Sequence, residues 1–119
     1  MVKITAGTSV NNSAAGTGET DGIISGGSIE ITAGTTLNNY DRLLSGGDIS
    51  LTSSSNYVIN RETGDIVAGG AVDIDADDYF SNYAGGQISV GGDLDIDASR
   101  RFVQNQGSVR VAGLSLIHI

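Results

Sequence analysis

The sequence has no cysteine, no proline and no tryptophan. Without cysteine there is no disulfide framework, no thiolate metal site and no cysteine nucleophile. That absence fits a cytosolic protein, and fits equally well an exported one that crosses a pore unfolded. The missing prolines suit a chain in which nearly every backbone N–H joins a hydrogen-bonded ladder. Basic residues are scarce, with 6 Lys and Arg against 14 Asp and Glu, for a formal net charge of −8. Binding a polyanion takes clustered Lys and Arg, and here only Arg100 and Arg101 are adjacent, so nucleic acid is not an expected partner. No apolar run approaches the roughly 20 residues of a membrane-spanning helix. The opening, MVKITAGTSVNN, lacks the apolar stretch of a signal peptide. It begins inside a strand-like pattern, so the protein is expected to extend further upstream.

What the chain does have is glycine, 18 of them, and a repeat. Gly-Gly recurs at Gly26-Gly27, Gly46-Gly47, Gly69-Gly70 and Gly91-Gly92, at intervals of 20, 23 and 22 residues. Each pair leads into one alternation: SIEITAG from Ser28, DISLTSS from Asp48, AVDIDAD from Ala71 and DLDIDAS from Asp93. VKITAG from Val2 is a fifth copy without its leading glycines. Ile29/Ile31, Ile49/Leu51, Val72/Ile74 and Leu94/Ile96 occupy alternate positions with polar residues between, which is the period of a half-buried strand. A second element follows in each copy, an apolar residue two before an asparagine: Val10/Asn12, Leu37/Asn39, Val58/Asn60, Phe80/Asn82 and Val103/Asn105. A third precedes the next glycines, as GIIS, RLLS, GDIVA, GQISV and GSVRVA. No stretch shows capped helical periodicity.

Three short strands per rung of about twenty residues mean a coil, because one rung cannot bury its inward side chains but stacked rungs form a continuous core. The expected fold is all-β, a right-handed parallel β-helix of about five rungs over residues 2–113, divided near 2–27, 28–47, 48–70, 71–92 and 93–113. At a rung spacing of about 4.8 Å, Asn12, Asn39, Asn60, Asn82 and Asn105 would stack, each side-chain amide bonding the next. The paired glycines fit corners with positive φ or tightly bent backbone. The stretch NNSAAGTGETDG, 11–22, reads as a protruding loop. The last six residues, LSLIHI, fit no rung. They are expected to be a non-native tail, the translated end of a sequencing adapter; the alternative is a further strand carrying Leu114, Leu116 and Ile119. His118, the one histidine, lies in that stretch, so no histidine-based catalysis is expected.

Candidate chemistry concentrates in GGAVDIDADD and its successor. Asp73, Asp75 and Asp77 would face outward between inward Val72, Ile74 and Ala76, with Asp95 stacked on Asp73 and Asp97 on Asp75. The same columns hold Lys3, Glu30 and Ser50, then Thr5, Thr32 and Thr52. Such acids attract a cation weakly, and Asp73, Asp75, Asp95 and Asp97 are the metal candidates. A calcium loop instead converges its ligands on one point, and the EF-hand pattern places Asp78 where glycine belongs and Ala84 where glutamate belongs. A solvated acidic face is therefore expected, with no cofactor and no catalytic residue. Asp77 and Asp78 beside Arg100 and Arg101 come nearest to the acid clusters of β-helical polysaccharide enzymes, and a calcium-stabilised β-roll is the other alternative. Tyr57, Phe80 and Phe102 are expected to form an internal stack, leaving Tyr40, Tyr79 and Tyr83 as surface aromatics.

The linked units, GGDLDIDA with FVQNQGSVRVAG and GGSIEITAGTTLNN, resemble the filamentous haemagglutinin repeat family over residues 2–113. The resemblance implies a shaft of a two-partner-secreted adhesin or contact-dependent growth-inhibition toxin of a Gram-negative bacterium. It implies export through an outer-membrane transporter, display at or shedding from the cell surface as a virulence factor, and a receptor on a host or neighbouring cell. It carries over no functional residues.

Overall fold

The computed structural model describes residues 1–13, 22–99 and 103–118. Strands come in successive sets of three. The first set is β1 (Val2–Ala6), β2 (Val10–Asn12) and β3 (Ile23–Ser25). The second is β4 (Ile29–Ala33), β5 (Leu37–Asn39) and β6 (Arg42–Ser45). The third is β7 (Ile49–Ser53), β8 (Val58–Asn60) and β9 (Asp65–Ala68). The fourth is β10 (Val72–Ala76), β11 (Phe80–Asn82) and β12 (Gln87–Val90). The fifth is β13 (Leu94–Ala98), β14 (Val103–Asn105) and β15 (Ser108–Val111), and β16 (Ser115–His118) follows. The first strands of the sets make one sheet, β1-β4-β7-β10-β13-β16. The second and third strands make two five-stranded sheets, and the pairing is parallel throughout. The molecule is a parallel β-solenoid, the β-helix that the repeat predicts.

Alternation along each strand builds the core. Ile31, Leu51, Ile74 and Ile96 pair in register along the first sheet and are buried. Leu37, Val58 and Phe80 face them from the second sheet, and Leu43, Ile66 and Ile88 from the third. Full burial of each such side chain stabilises the fold by roughly 1.5–3 kcal/mol.

Beside the aliphatics runs the asparagine ladder. Asn12 Nδ2 donates to Asn39 Oδ1 at 2.9 Å, Asn39 to Asn60 at 2.9 Å, Asn60 to Asn82 at 2.8 Å and Asn82 to Asn105 at 2.9 Å. The Nδ2 groups of Asn60 and Asn82 also reach backbone carbonyls, of Gly64 and Gln87 and of Gly86 and Ser108. Asn39, Asn60 and Asn82 are buried, and a buried amide is tolerated because donor and acceptor are both engaged.

The glycine pairs owe their identity to close stacking. Positive φ occurs at Gly22 and Gly85 among the described residues, and neither belongs to the four glycine pairs that open the rungs, Gly85 standing with Gly86 before β12 instead. Instead, a Cβ on Gly69 would stand 2.6 Å from the Gly46 carbonyl oxygen, and one on Gly91 would stand 2.5 Å from that of Gly69. Where aspartate follows the pair, it braces the next corner: Asp48 Oδ1 accepts from Ala71 N and Asp93 Oδ1 from Leu114 N, both at 2.9 Å.

Several expectations change. Asn11 and Asn12 belong to β2 rather than to a loop, and 14–21 lie outside the described residues. Residues 115–118 do pair, as β16 beside β13, with Ser115 opposite Leu94 and Leu116 opposite Asp95. Backbone hydrogen bonding thus adds a strand, in which Ile117 pairs with Ile96 but serine stands opposite Leu94 and leucine opposite Asp95. A further strand, the alternative reading of this stretch, is therefore present over 115–118, while Leu114 precedes it and Leu114 and Leu116 are left 61% and 45% exposed. Ile119 lies outside the described residues.

Candidate functional site

The first sheet presents two outward columns. One reads Lys3, Glu30, Ser50, Asp73, Asp95 and Leu116 in pairing register. The other reads Thr5, Thr32, Thr52, Asp75 and Asp97. The stacking of Asp73 on Asp95 and Asp75 on Asp97 is as the repeat predicts. Valine and isoleucine between the acids are held in the core, and this fixes the aspartates outward. Asp77 falls just past the end of β10, half-buried at the corner rather than outward on the strand.

The electrostatics follow from the stack. Asp73 has its carboxyl held above the usual aspartate range, first by partial desolvation and then by the charges of Asp95, Asp75 and Asp97. At the other end of the same column the charges alternate, and Lys3 Nζ lies 3.9 Å from Glu30 Oε1 with both side chains exposed. Exposed pairs of that kind contribute about 0–1 kcal/mol.

A cation chelate needs oxygens converging from several directions, roughly 6–8 of them for calcium. The four aspartates stand side by side on a flat sheet and do not converge, and no group of three or more metal-ligating side chains occurs among the described residues. Arg100 and Arg101 lie outside the described residues, as does the acid–arginine arrangement expected there. A shallow depression of about 230 Å³ on the third sheet is lined by Gln87, Ile88, Ser89, Ser108 and Arg110. It carries no carboxylate, so it offers no acid/base pair of the kind a glycoside hydrolase uses.

The aromatic residues are arranged differently from expectation. Phe80 is buried and pairs with Val58 and Val103, whereas Tyr57 stacks on Tyr79 outside the core with ring centroids 5.1 Å apart. Tyr57 thus precedes β8, whose first residue Val58 is the one that pairs with Phe80, and the internal stack of Tyr57 with Phe80 is overturned; Phe102 lies outside the described residues. A group that the repeat pattern does not reveal is Arg61. Its guanidinium sits between the rings of Tyr40 and Tyr83, 5.4 and 4.9 Å from their centroids. The residue after each ladder asparagine reads Ser13, Tyr40, Arg61, Tyr83 and Gln106, and setting that column beside the asparagines would have exposed the sandwich.

The described residues contain no helix long and apolar enough to cross a membrane. The chain matches no protein-family model, no curated protein and no solved structure.

Proposed function

We propose that this chain is a segment of the β-helical shaft of a large exported protein of a Gram-negative bacterium. In this reading it is a stalk of filamentous haemagglutinin type that carries adhesive or toxic regions away from the cell. The observation that supports the reading is the self-similarity of the rungs. The inward columns and the asparagine ladder repeat in register, so each added rung extends the body by about 4.8 Å without a new kind of contact. A fold of that kind serves length and stiffness. The acids face outward without converging, which supports a spacer more than a polysaccharide-cleaving enzyme or a calcium-loaded roll. The partners of the reading are an outer-membrane two-partner-secretion transporter and a receptor on a host or neighbouring cell.

The test is the coding sequence on either side. An upstream secretion domain, further glycine-pair repeats and an adjacent transporter gene are expected. A flanking domain with a carbohydrate-cleaving active site, and no transporter gene, would overturn the reading.

A further inference from the structure

Outward positions differ in character from sheet to sheet. From β1 to β13 those of the first sheet are all polar, and Glu30, Asp73, Asp75, Asp95 and Asp97 are acids. On the third sheet Leu43, Ile66 and Ile88 are buried, so alternation turns the residues on either side of them outward. Two axial columns result, Arg42, Asp65, Gln87 and Ser108 in one and Ile24, Leu44, Val67, Ser89 and Arg110 in the other. They hold a single acid, Asp65, and two arginines. The first three rungs carry an aliphatic residue outward here: Ile24 is 48% exposed, and Leu44 and Val67 are half-buried. Further along the same column lies the depression of about 230 Å³ at Gln87, Ser89, Ser108 and Arg110.

We propose that the third sheet docks face to face on the third sheet of a second copy of this chain, with the two solenoids running in opposite directions. A chain of net charge −8 repels its own copies, and contact through the first sheet would set carboxylates against carboxylates. The third sheet is free of that penalty and offers apolar surface. The charge pattern also sets the direction. A two-fold axis along the strands, between β6 and β9, puts Arg42 opposite Asp65 of the second copy, and Asp65 opposite Arg42 of the second copy. Within each copy Arg42 and Asp65 are already neighbours in the ladder, so the four charges alternate in sign around the axis. Leu44 then meets Val67 of the second copy, and Ile24 comes over its depression beside Ser89. Solenoids running the same way would instead set Arg110 against Arg110.

Five strands about 4.8 Å apart and four residues of about 3.3 Å give a face of about 300 Å² per copy. A standard stable interface takes about 800 Å² per partner, so the dimer is weak and reversible. It follows from the solenoid alone and is independent of the shaft reading.

Sedimentation equilibrium on the 119-residue chain tests it, from about 10 μM to about 1 mM, the range of weak association. A monomer–dimer equilibrium with nothing larger is expected, because a two-fold interface closes on itself. Val67→Lys, which sets a charge against Leu44 of the second copy, should weaken association at least about tenfold, with an unchanged circular dichroism spectrum. Arg42→Asp should weaken it as well, and Asp65→Arg in the same chain should restore it, which a variant that merely misfolds would not do. The chain lacks cysteine, so introduced thiols report direction. Ile24→Cys mixed with Ser89→Cys should be joined by a short bis-maleimide across the about 10 Å between packed sheets. Ile24→Cys alone should not be, since its two copies stand about 14 Å further apart along the axis. A chain that stays monomeric throughout, open-ended growth unaffected by Val67→Lys, or Ile24→Cys linking to itself in preference to Ser89→Cys would overturn the proposal.

Discussion

Asn60 donates to the side-chain oxygen of Asn82 at 2.8 Å, and both residues are fully buried. Each amide nitrogen also reaches two backbone carbonyls, one in its own rung and one in the next. A single side chain thus links neighbouring rungs both through its partner amide and through the main chain. Parallel sheets alone would hold the rungs together, but a register slip of one rung-column would leave these amides unpaired in the core.

Asn82→Ala removes the acceptor of Asn60 and the donor to Asn105 and to two carbonyls. Leaving buried polar groups unpaired costs about 1–3 kcal/mol each, so a loss on the order of 3 kcal/mol is expected in urea unfolding. Asn105→Ala, at an exposed position, should cost much less. Equal unfolding midpoints for wild type and Asn82→Ala would remove the ladder as a stabilising element.

Gly69→Ala and Gly26→Ala separate stacking from conformational freedom. A Cβ at position 69 meets the Gly46 carbonyl oxygen at 2.6 Å, whereas one at position 26 meets nothing within 4 Å. Gly69→Ala should destabilise by about 1–3 kcal/mol, as overpacking does. Gly26→Ala should be neutral or slightly stabilising, since it restricts the unfolded chain. Thermal melts of the two variants measure the contrast.

The aspartate stack makes stability depend on pH in an unusual direction. Because the folded state raises the Asp73 pKa above its ordinary 3.8, the native protein binds the proton more readily than the unfolded chain does. Stability from this group is therefore present below about 3.8 and is lost as pH rises through the folded value. At neutral pH, Asp73→Asn should raise stability by up to about 1 kcal/mol, the repulsion of two charges a rung apart in water. The gain should shrink with added salt. Urea unfolding from acidic to neutral pH for both proteins checks the sign, and a variant less stable than wild type at neutral pH would contradict it.

Leu116→Ser tests the phase of the last strand. Its position opposite Asp95 faces outward, and a surface change away from special features stays within about 0.5 kcal/mol. Ile96→Ser, which truncates a buried side chain one strand earlier and buries a hydroxyl, should cost several times more. Comparable losses for the two would mean that Leu116 is packed inward.

The asparagine and aliphatic columns and the stacking of Asp73 on Asp95 are legible in the chain alone, because strand alternation and a glycine-marked repeat are written locally. The need for glycine at the paired corners is legible only as a bend. Its cause, a carbonyl oxygen one rung away, depends on how closely two distant segments approach. Likewise the pairing of Tyr57 with Tyr79 and of Arg61 with Tyr40 and Tyr83 does not emerge by counting from the glycines, since the rungs differ in length, and aligns only when the asparagines set the register. The strand at residues 115–118 makes the same point from the other side. Its leucine fits no inward column, yet the edge of β13 pairs with its backbone, because main-chain hydrogen bonding takes any side chain. The sequence by itself determined the coil, its inward columns and its acidic outer face, through a period that each strand carries alone. Tertiary structure decided which side chains meet across rungs, because that depends on the registration of segments some twenty residues apart.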